Sequence, residues 1–494
     1  MNPHTPWFSP RDVVRRGADS HGDRIAAIAD ETRVTYRQLA ERTGAAATSL
    51  RSAGVGSGIQ VALMLPNAVT FLVWFYAGLE AGGIVVPLSP SLTASEASDL
   101  LSVSGAWFVV APGADSLPSG LDVPLVKVAA PKEEGCLWRV SRTLPRIDTL
   151  PWTGSGYMTR YSSSGSTGRP KHVFKTEANV AFDLQNFHDS LGLAAGDVFL
   201  GALPFYALHG AKSVTAAIYL GACVTILPRF LPSAVLERAR RDCATVLFAS
   251  PAMIDSLSTC LLRDDDENAF RSLRFCGSGG AHLRQDVRDA FYKRYGVAVH
   301  NQYGSTESHS VAVDLDDAFV ENRAGRPLRG VEVCIFDEND APLPAGSVGR
   351  IAARSPAAST GYIGDPETSA KVFRNGWVLP GDRGYLDQDG RLYVLGRDDL
   401  INIDGMKVDP LEVAQVIRDA VPVRDVVVFA ANRAGLPALR VMIEADPSLV
   451  TPKMVVQACR ARLSSHKVPA HVEVRERWER SATGKILMSS LTGD

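Results

Sequence analysis

The sequence predicts an α/β fold: a large N-terminal domain of doubly wound α/β subdomains plus a small β-barrel, then a small α+β C-terminal domain. Three observations carry this. Short apolar runs alternate with amphipathic helical stretches through the N-terminal part of the chain, the mark of a parallel sheet covered on both faces. Past about Arg326 the pattern changes to short strands between Pro, Gly and Asp-rich turns. The 494 residues also exceed what one core usually holds.

The elements follow in order. Gly54–Leu79 carries no charge, but Gln60, Pro66, Asn67 and Thr70 interrupt it. It reads as a buried strand, Val61–Leu65, and a helix, Asn67–Ala81, with Ile84–Pro87 as the next strand, and not as a membrane span. Ala234–Cys243 reads as a helix, Thr245–Phe248 as a strand, Leu273–Cys276 as a strand, Arg284–Tyr295 as a helix and Val297–Asn301 as a strand. The clusters Ser278-Gly279-Gly280 and Tyr303-Gly304-Ser305-Thr306-Glu307 come just after such strands, where ligands of these sheets bind. Val331–Phe336, Gly349–Ala353 and Arg391–Val394 are the strands of the small barrel or sandwich. The tail holds the helices Pro410–Ala420 and Pro452–Leu463 and the strands Val426–Ala430 and Leu439–Ile443. The domains are 1–397 and 398–494, divided at Arg397/Asp398.

Composition narrows the function. A net charge of −2 gives no basic footprint for nucleic acid or an anionic membrane. Seven cysteines, an odd number with no C-x-x-C pair, argue against a disulfide framework or zinc site and for a reducing compartment. The N-terminus has no signal-peptide pattern, so a cytoplasmic location is expected.

The sharpest chemical signal is Ser162-Ser163-Ser164-Gly165-Ser166-Thr167-Gly168-Arg169-Pro170-Lys171. Two glycines permit a tight turn whose N–H groups can face a polyphosphate; hydroxyls add donors and Lys171 a positive charge. It is not a Walker A loop, since nothing fits G-x-x-x-x-G-K-[ST]. Four further motifs follow along the chain: Tyr303-Gly304-Ser305-Thr306-Glu307, Gly381-Asp382, Gly396-Arg397 and Ala482-Thr483-Gly484-Lys485-Ile486.

With these five motifs in this order, the chain resembles the adenylate-forming enzymes: acyl- and aryl-CoA synthetases, nonribosomal peptide synthetase adenylation domains and beetle luciferases. The resemblance covers nearly the whole chain and implies ATP, Mg²⁺ and coenzyme A as ligands. It implies that Ser163, Ser164, Gly165, Ser166, Thr167, Gly168, Lys171 and Thr306 serve the ATP phosphates and that Glu307 holds Mg²⁺, a hard cation suited to carboxylate and phosphate oxygens. Tyr303 would lie against the adenine near Gly279, Gly280, Ala281, Gln302 and Gly304, with Asp382 and Arg397 on the ribose. Thr306, Glu307 and Lys485 form the implied catalytic set. Lys485 would bridge the substrate carboxylate and the α-phosphate, offsetting the repulsion of two anions. The C-terminal domain would be mobile, hinged at Asp398, with Gly405, Met406 and Lys407 lining the thiol tunnel.

This chain departs from the family pattern in three places. The Arg397-to-Asp399 segment is one residue short, His172 stands where glycine usually follows the loop lysine, and no proline precedes Ser481.

Leu203–Gly210 corresponds to one wall of the acyl pocket. It lacks the aspartate that pairs with a substrate ammonium, which disfavours an α-amino acid. Phe205, Tyr206 and His209, with Gly279 and Gly304, would make a mainly apolar pocket for an aromatic, cyclic or medium-sized acyl acid. The partners expected are this small carboxylic acid and, as an alternative acceptor to coenzyme A, a separate carrier protein or an amine; the chain itself would be a monomer or homodimer. A luciferase-like monooxygenase and a non-catalytic nucleotide-binding protein are the readings from other classes.

Overall fold

The computed structural model describes residues 9–494 apart from 105, 120, 122–124, 132–133, 141–155, 164–170, 261–265, 317–318, 398–400, 404–405, 409, 434–435, 464–466, 481–485 and 487–494. Packing divides the chain into two compact units, residues 1–333 with 353–378 and residues 334–352 with 379–494.

The first unit contains strands β1 (Ile25–Ala29), β2 (Thr32–Thr35), β3 (Gln60–Leu63), β4 (Ile84–Pro87), β5 (Phe108–Ala111), β6 (Leu125–Val128), β7 (Cys136–Val140), β8 (Tyr157–Ser163) and β9 (Lys171–Thr176). It continues with β10 (Val198–Gly201), β11 (Cys223–Ile226), β12 (Val246–Ala249), β13 (Phe275–Gly279), β14 (Val299–Ser305), β15 (His309–Val313) and β16 (Arg323–Pro327). One sheet runs β6-β7-β5-β3-β4-β8-β9 and the other β2-β1-β11-β10-β12-β13-β14-β15-β16. Their central pairs, β5-β3-β4-β8 and β1-β11-β10-β12-β13-β14, are parallel, while the edges are antiparallel. This is the doubly wound α/β arrangement that the strand–helix rhythm predicts.

The apolar runs are continuous because both faces are covered. All four residues of β3, β4, β5 and β12 are buried. The charge-free stretch resolves into β3 and the helix Val69–Glu80, of 12 residues, buried from Phe71 to Leu79. At 1.5 Å per residue such a helix spans about 18 Å, short of a bilayer's roughly 30 Å. Among the described residues no helix is long and apolar enough to cross a membrane.

The second unit has its own core. Asp382–Leu386 pairs antiparallel with Leu392–Arg397 and with Gly349–Arg354. Further on, Asp425–Arg433 pairs antiparallel with Leu436–Glu444, which pairs parallel with His471–Arg475. The helices Pro410–Ala420 and Pro452–Arg462 cover that sheet through Val413, Ile417, Val455 and Cys459, packed against Val441 and Ile443. Packing thus groups the strands around Gly349 and Asp382 with the C-terminal elements, where the sequence reading divides the chain at Arg397/Asp398; Asp398 lies outside the described residues.

Candidate active site

The phosphate-loop motif is mounted on a hairpin. β8 and β9 pair antiparallel, with Ser162 opposite His172 and Ser163 opposite Lys171. Ser164, Gly165, Ser166, Thr167 and Gly168 lie outside the described residues. A Thr176 capping box turns β9 directly into the helix Glu177–Leu191, which fixes the far end of the hairpin. His172, the departure at the family's glycine, is buried, with Nδ1 3.3 Å from Ser162 Oγ. Burial, then the nearby Arg160 charge, lowers its pKa to about 3, so it carries no charge at neutral pH.

A second hairpin, β14–β15, carries Thr306, Glu307 and Ser308 at its tip. The sequence predicts that Tyr303, Gly304 and Ser305 follow a strand, but they are the last residues of β14 itself; likewise Ser278 and Gly279 end β13. The tip is fastened by Ser305 and Ser308, whose backbone N–H groups each donate to the other's hydroxyl, at 3.2 and 3.1 Å. Gly304 is required by close approach: a Cβ there would collide with the His309 carbonyl across the ladder.

Glu307 is buried and held at both ends. The Tyr362 hydroxyl donates to its Oε1 at 2.7 Å. Its carbonyl accepts from Lys175 Nζ at 3.0 Å and from the Ser359 N–H at 2.8 Å. Lys175 also donates to the Ala357 carbonyl, at 3.3 Å. Desolvation lowers the Lys175 pKa to about 7, against the attraction of Asp183 and Glu307. Among the described residues no group of three His, Cys, Asp or Glu side chains could hold a metal. Mg²⁺ on a nucleotide needs only one or two carboxylates besides phosphate oxygens and water, so an oriented Glu307 fits it.

Beside this hairpin, Gly279 pairs with Gln302, and a Cβ on Gly279 would lie 3.0 Å from the Gln302 carbonyl and 3.6 Å from His209 Cε1. The bare glycine therefore faces His209. His209 is half-buried and edge-on to Phe248, with ring centroids 5.9 Å apart, and its Nε2, itself buried, has no hydrogen-bond partner among the described residues. Burial, reinforced by Lys212, lowers its pKa to about 4 and keeps it neutral. Tyr206 is half-buried. Phe205 is not a wall residue: it is fully buried, its ring 5.5 Å from Phe71 and packed on Gly201. An apolar ring in the turn beyond a central strand can fold back onto it and pack inward.

A buried ionic cluster near His209 has no signal in the sequence. Lys212 Nζ lies 2.6 Å from Asp183 Oδ1 and donates to Ser310 Oγ at 2.6 Å, while His309 Nδ1 is 2.8 Å from Asp183 Oδ2. Burial alone would raise the Asp183 carboxyl, but Lys212 and His309 outweigh it and hold it below the usual carboxylate range. Its members come from three elements, 29 or more residues apart, which is why no local motif announces them.

In the second unit Asp382 and Arg397 are opposite residues of paired strands, with Arg397 Nη1 3.2 Å from Asp382 Oδ1. Met406 and Lys407 pair with Ile403 and Asn402 in a short antiparallel ladder. Gly405 and Lys485 fall outside the described residues; an antiparallel bridge joins Arg480 to Ile486, on either side of residues 481–485.

This fold and these two hairpins define a class of nucleotide-dependent ligase, and the comparisons agree. The AMP-binding enzyme family matches residues 14–363. Feruloyl-CoA synthase of an Amycolatopsis species is 31% identical over 471 residues, covering 92% of this chain and 93% of that protein. The 2-succinylbenzoate–CoA ligase of Geobacillus kaustophilus is 28% identical, covering 95% and 94%. Among solved structures, an amide bond synthetase from Marinactinospora thermotolerans superposes with a TM-score of 0.81 at 25% identity, covering 98% and 99%. The chain belongs to the AMP-binding enzyme family. It is an AMP-forming acid–thiol ligase that activates a carboxylic acid with ATP and Mg²⁺ and transfers it to coenzyme A.

Proposed function

We propose that the acid is aromatic, cyclic or medium-sized and not an α-amino acid, and that the two half-reactions divide between the two hairpins and the C-terminal tail. The observation that supports this reading is the approach of Gly279 to a half-buried, neutral His209, 3.6 Å from where a Cβ on the glycine would lie, with an unpartnered ring nitrogen. Such a surface accepts a flat or apolar body and offers one hydrogen bond, while an ammonium group would find no carboxylate among Tyr206, His209 and Gly279. The named relatives acting on feruloyl and succinylbenzoyl acids support an aryl acid.

In the first half-reaction the acid's carboxylate oxygen attacks the α-phosphorus of ATP, forming the acyl–phosphate anhydride and expelling pyrophosphate. Thr306, Lys171 and the loop 163–168 bind the phosphates, Glu307 orients Mg²⁺, Asp382 and Arg397 hold the ribose, and Lys485 stands between the two anions. Bound Mg²⁺ supplies charge neutralisation for the departing pyrophosphate. In the second, rotation at Asp398 brings Gly405, Met406 and Lys407 to the thiol path, and the thiol sulfur attacks the acyl carbon and expels AMP. The enzyme works in the cytoplasm as a monomer or homodimer.

The test is pyrophosphate release across a panel of acids with and without coenzyme A. Release that needs an aryl or medium-chain acid, with acyl-CoA seen by mass, supports the reading. Release driven best by α-amino acids contradicts it. Acid-dependent release with an amide in place of acyl-CoA, as the name of the structurally similar amide bond synthetase suggests for that protein, would contradict it.

A further inference from the structure

Glu307 has a neighbour that no sequence motif supplies. Tyr362 lies 55 residues further along the chain, in the segment following strand Gly349–Arg354, yet its hydroxyl reaches Glu307 Oε1 at 2.7 Å in the interior. The tyrosine is itself fixed from three sides. Its N–H donates to Ser369 Oγ at 2.8 Å, and its ring meets the Phe373 ring edge-on with centroids 5.3 Å apart. On the other side the Lys171 ammonium sits 5.4 Å from the ring centroid, within reach of a cation–π contact. The next residue, Ile363, donates its N–H to the His172 carbonyl at 2.8 Å, tying the same segment to β9.

We propose that Tyr362 is a positioning residue for the metal carboxylate: its hydroxyl engages Oε1 of Glu307, aims Oε2 at the cation on the nucleotide, and couples that carboxylate to Lys171 at the foot of the phosphate loop. This rests on the reading of Glu307 as the Mg²⁺ ligand. The physical reason is order. A glutamate side chain has three rotatable bonds, and a single carboxylate shared with phosphates and water makes a weak metal site unless its rotamer is set beforehand. Outer hydrogen bonds to a ligating carboxylate do that, and removing one typically weakens metal affinity ten- to a hundredfold. The Lys175 and Ser359 bonds to the Glu307 carbonyl fix the backbone; Tyr362 alone among the described residues is seen on the carboxylate.

The test uses the full chain with a non-hydrolysable ATP analogue and Mn²⁺ as the paramagnetic probe. Tyr362→Phe keeps the ring and its contact with Phe373 and removes only the hydroxyl. The expected result is an Mn²⁺ dissociation constant in the ternary complex about tenfold weaker, with analogue affinity in EDTA unchanged and the thermal transition retained. Glu307→Gln is measured alongside and should weaken Mn²⁺ at least as much. Unchanged Mn²⁺ affinity in Tyr362→Phe, with Glu307→Gln weakened, overturns the proposal and leaves the Glu307 reading standing. Unchanged affinity in Glu307→Gln overturns the Glu307 reading itself. Equal loss of analogue binding in EDTA, or loss of the thermal transition in Tyr362→Phe, also overturns the proposal, because the hydroxyl would then hold the fold and not the metal ligand.

Discussion

Arg397 and Asp382 face each other across two paired strands, Nη1 to Oδ1 at 3.2 Å, and the same guanidinium donates to the Pro380 carbonyl at 2.8 Å. The pair is preset by the ladder and not assembled by the ligand, and Gly381, at a φ of 81°, lets the chain turn just ahead of it. A carboxylate so held can accept from two vicinal hydroxyls at once.

Asp382→Ala is therefore expected to raise the KM for ATP about tenfold, the value of a lost hydrogen bond to a charged group. It should also abolish the preference for ATP over 2′-deoxy-ATP. Steady-state kinetics with both nucleotides checks this; a variant that still discriminates would place the ribose elsewhere.

Two glycines should respond with opposite signs. Gly304→Ala drives a methyl into the His309 carbonyl and should cost on the order of 1–3 kcal/mol, with loss of adenylation. Gly44→Ala, inside the helix Tyr36–Ser52 with nothing within 4 Å of the new Cβ, should stabilise by about 0.5–1 kcal/mol. Urea titration of the two variants against the parent measures both.

Three histidines of lowered pKa weaken the fold toward acid. His172 is held to a pKa of about 3, and His209 and His309 to about 4, each by burial first, from an ordinary 6.5. Because the folded-state values are depressed, the unfolded chain takes up protons that the folded chain refuses. Stability is thus full above pH 6.5 and is lost as pH falls toward 4, by about 1.4 kcal/mol per pH unit for each histidine. Thermal denaturation across pH 4–7 should show this slope, and His172→Gln should make it shallower.

The two half-reactions should separate by mutation. Lys485→Ala is expected to lose adenylation by a factor of at least about a hundred while keeping transfer from a pre-made acyl-AMP to coenzyme A. A bulky residue at Gly405 should do the reverse. Single-turnover assays of each half-reaction decide it; equal losses in both variants would speak against a two-pose cycle.

Much of this was legible before the structure. The helix Pro410–Ala420 and the strand Ile84–Pro87 fall where the periodicity puts them, because apolar spacing and proline punctuation are local signals. The motifs that carry Glu307, Asp382 and Arg397 also stand out, since glycine-flanked polar runs are written contiguously, although only the structure sets Asp382 opposite Arg397. What was not readable depends on tertiary approach. Nothing near Tyr362 announces Glu307, and nothing near Asp183 announces Lys212 or His309. Phe205 misled for the related reason that an aromatic next to a pocket motif looks like a wall until the sheet beneath it, with Phe71 and Gly201, is seen to claim it.

The most direct test of the central claim follows an oxygen atom. With acid labelled by ¹⁸O in its carboxylate, attack on the α-phosphorus must leave one labelled oxygen in AMP when coenzyme A displaces it. The account predicts AMP heavier by one ¹⁸O and unlabelled pyrophosphate. Label in inorganic phosphate with ADP as product, or none in AMP, would contradict an acyl-adenylate and the function built on it.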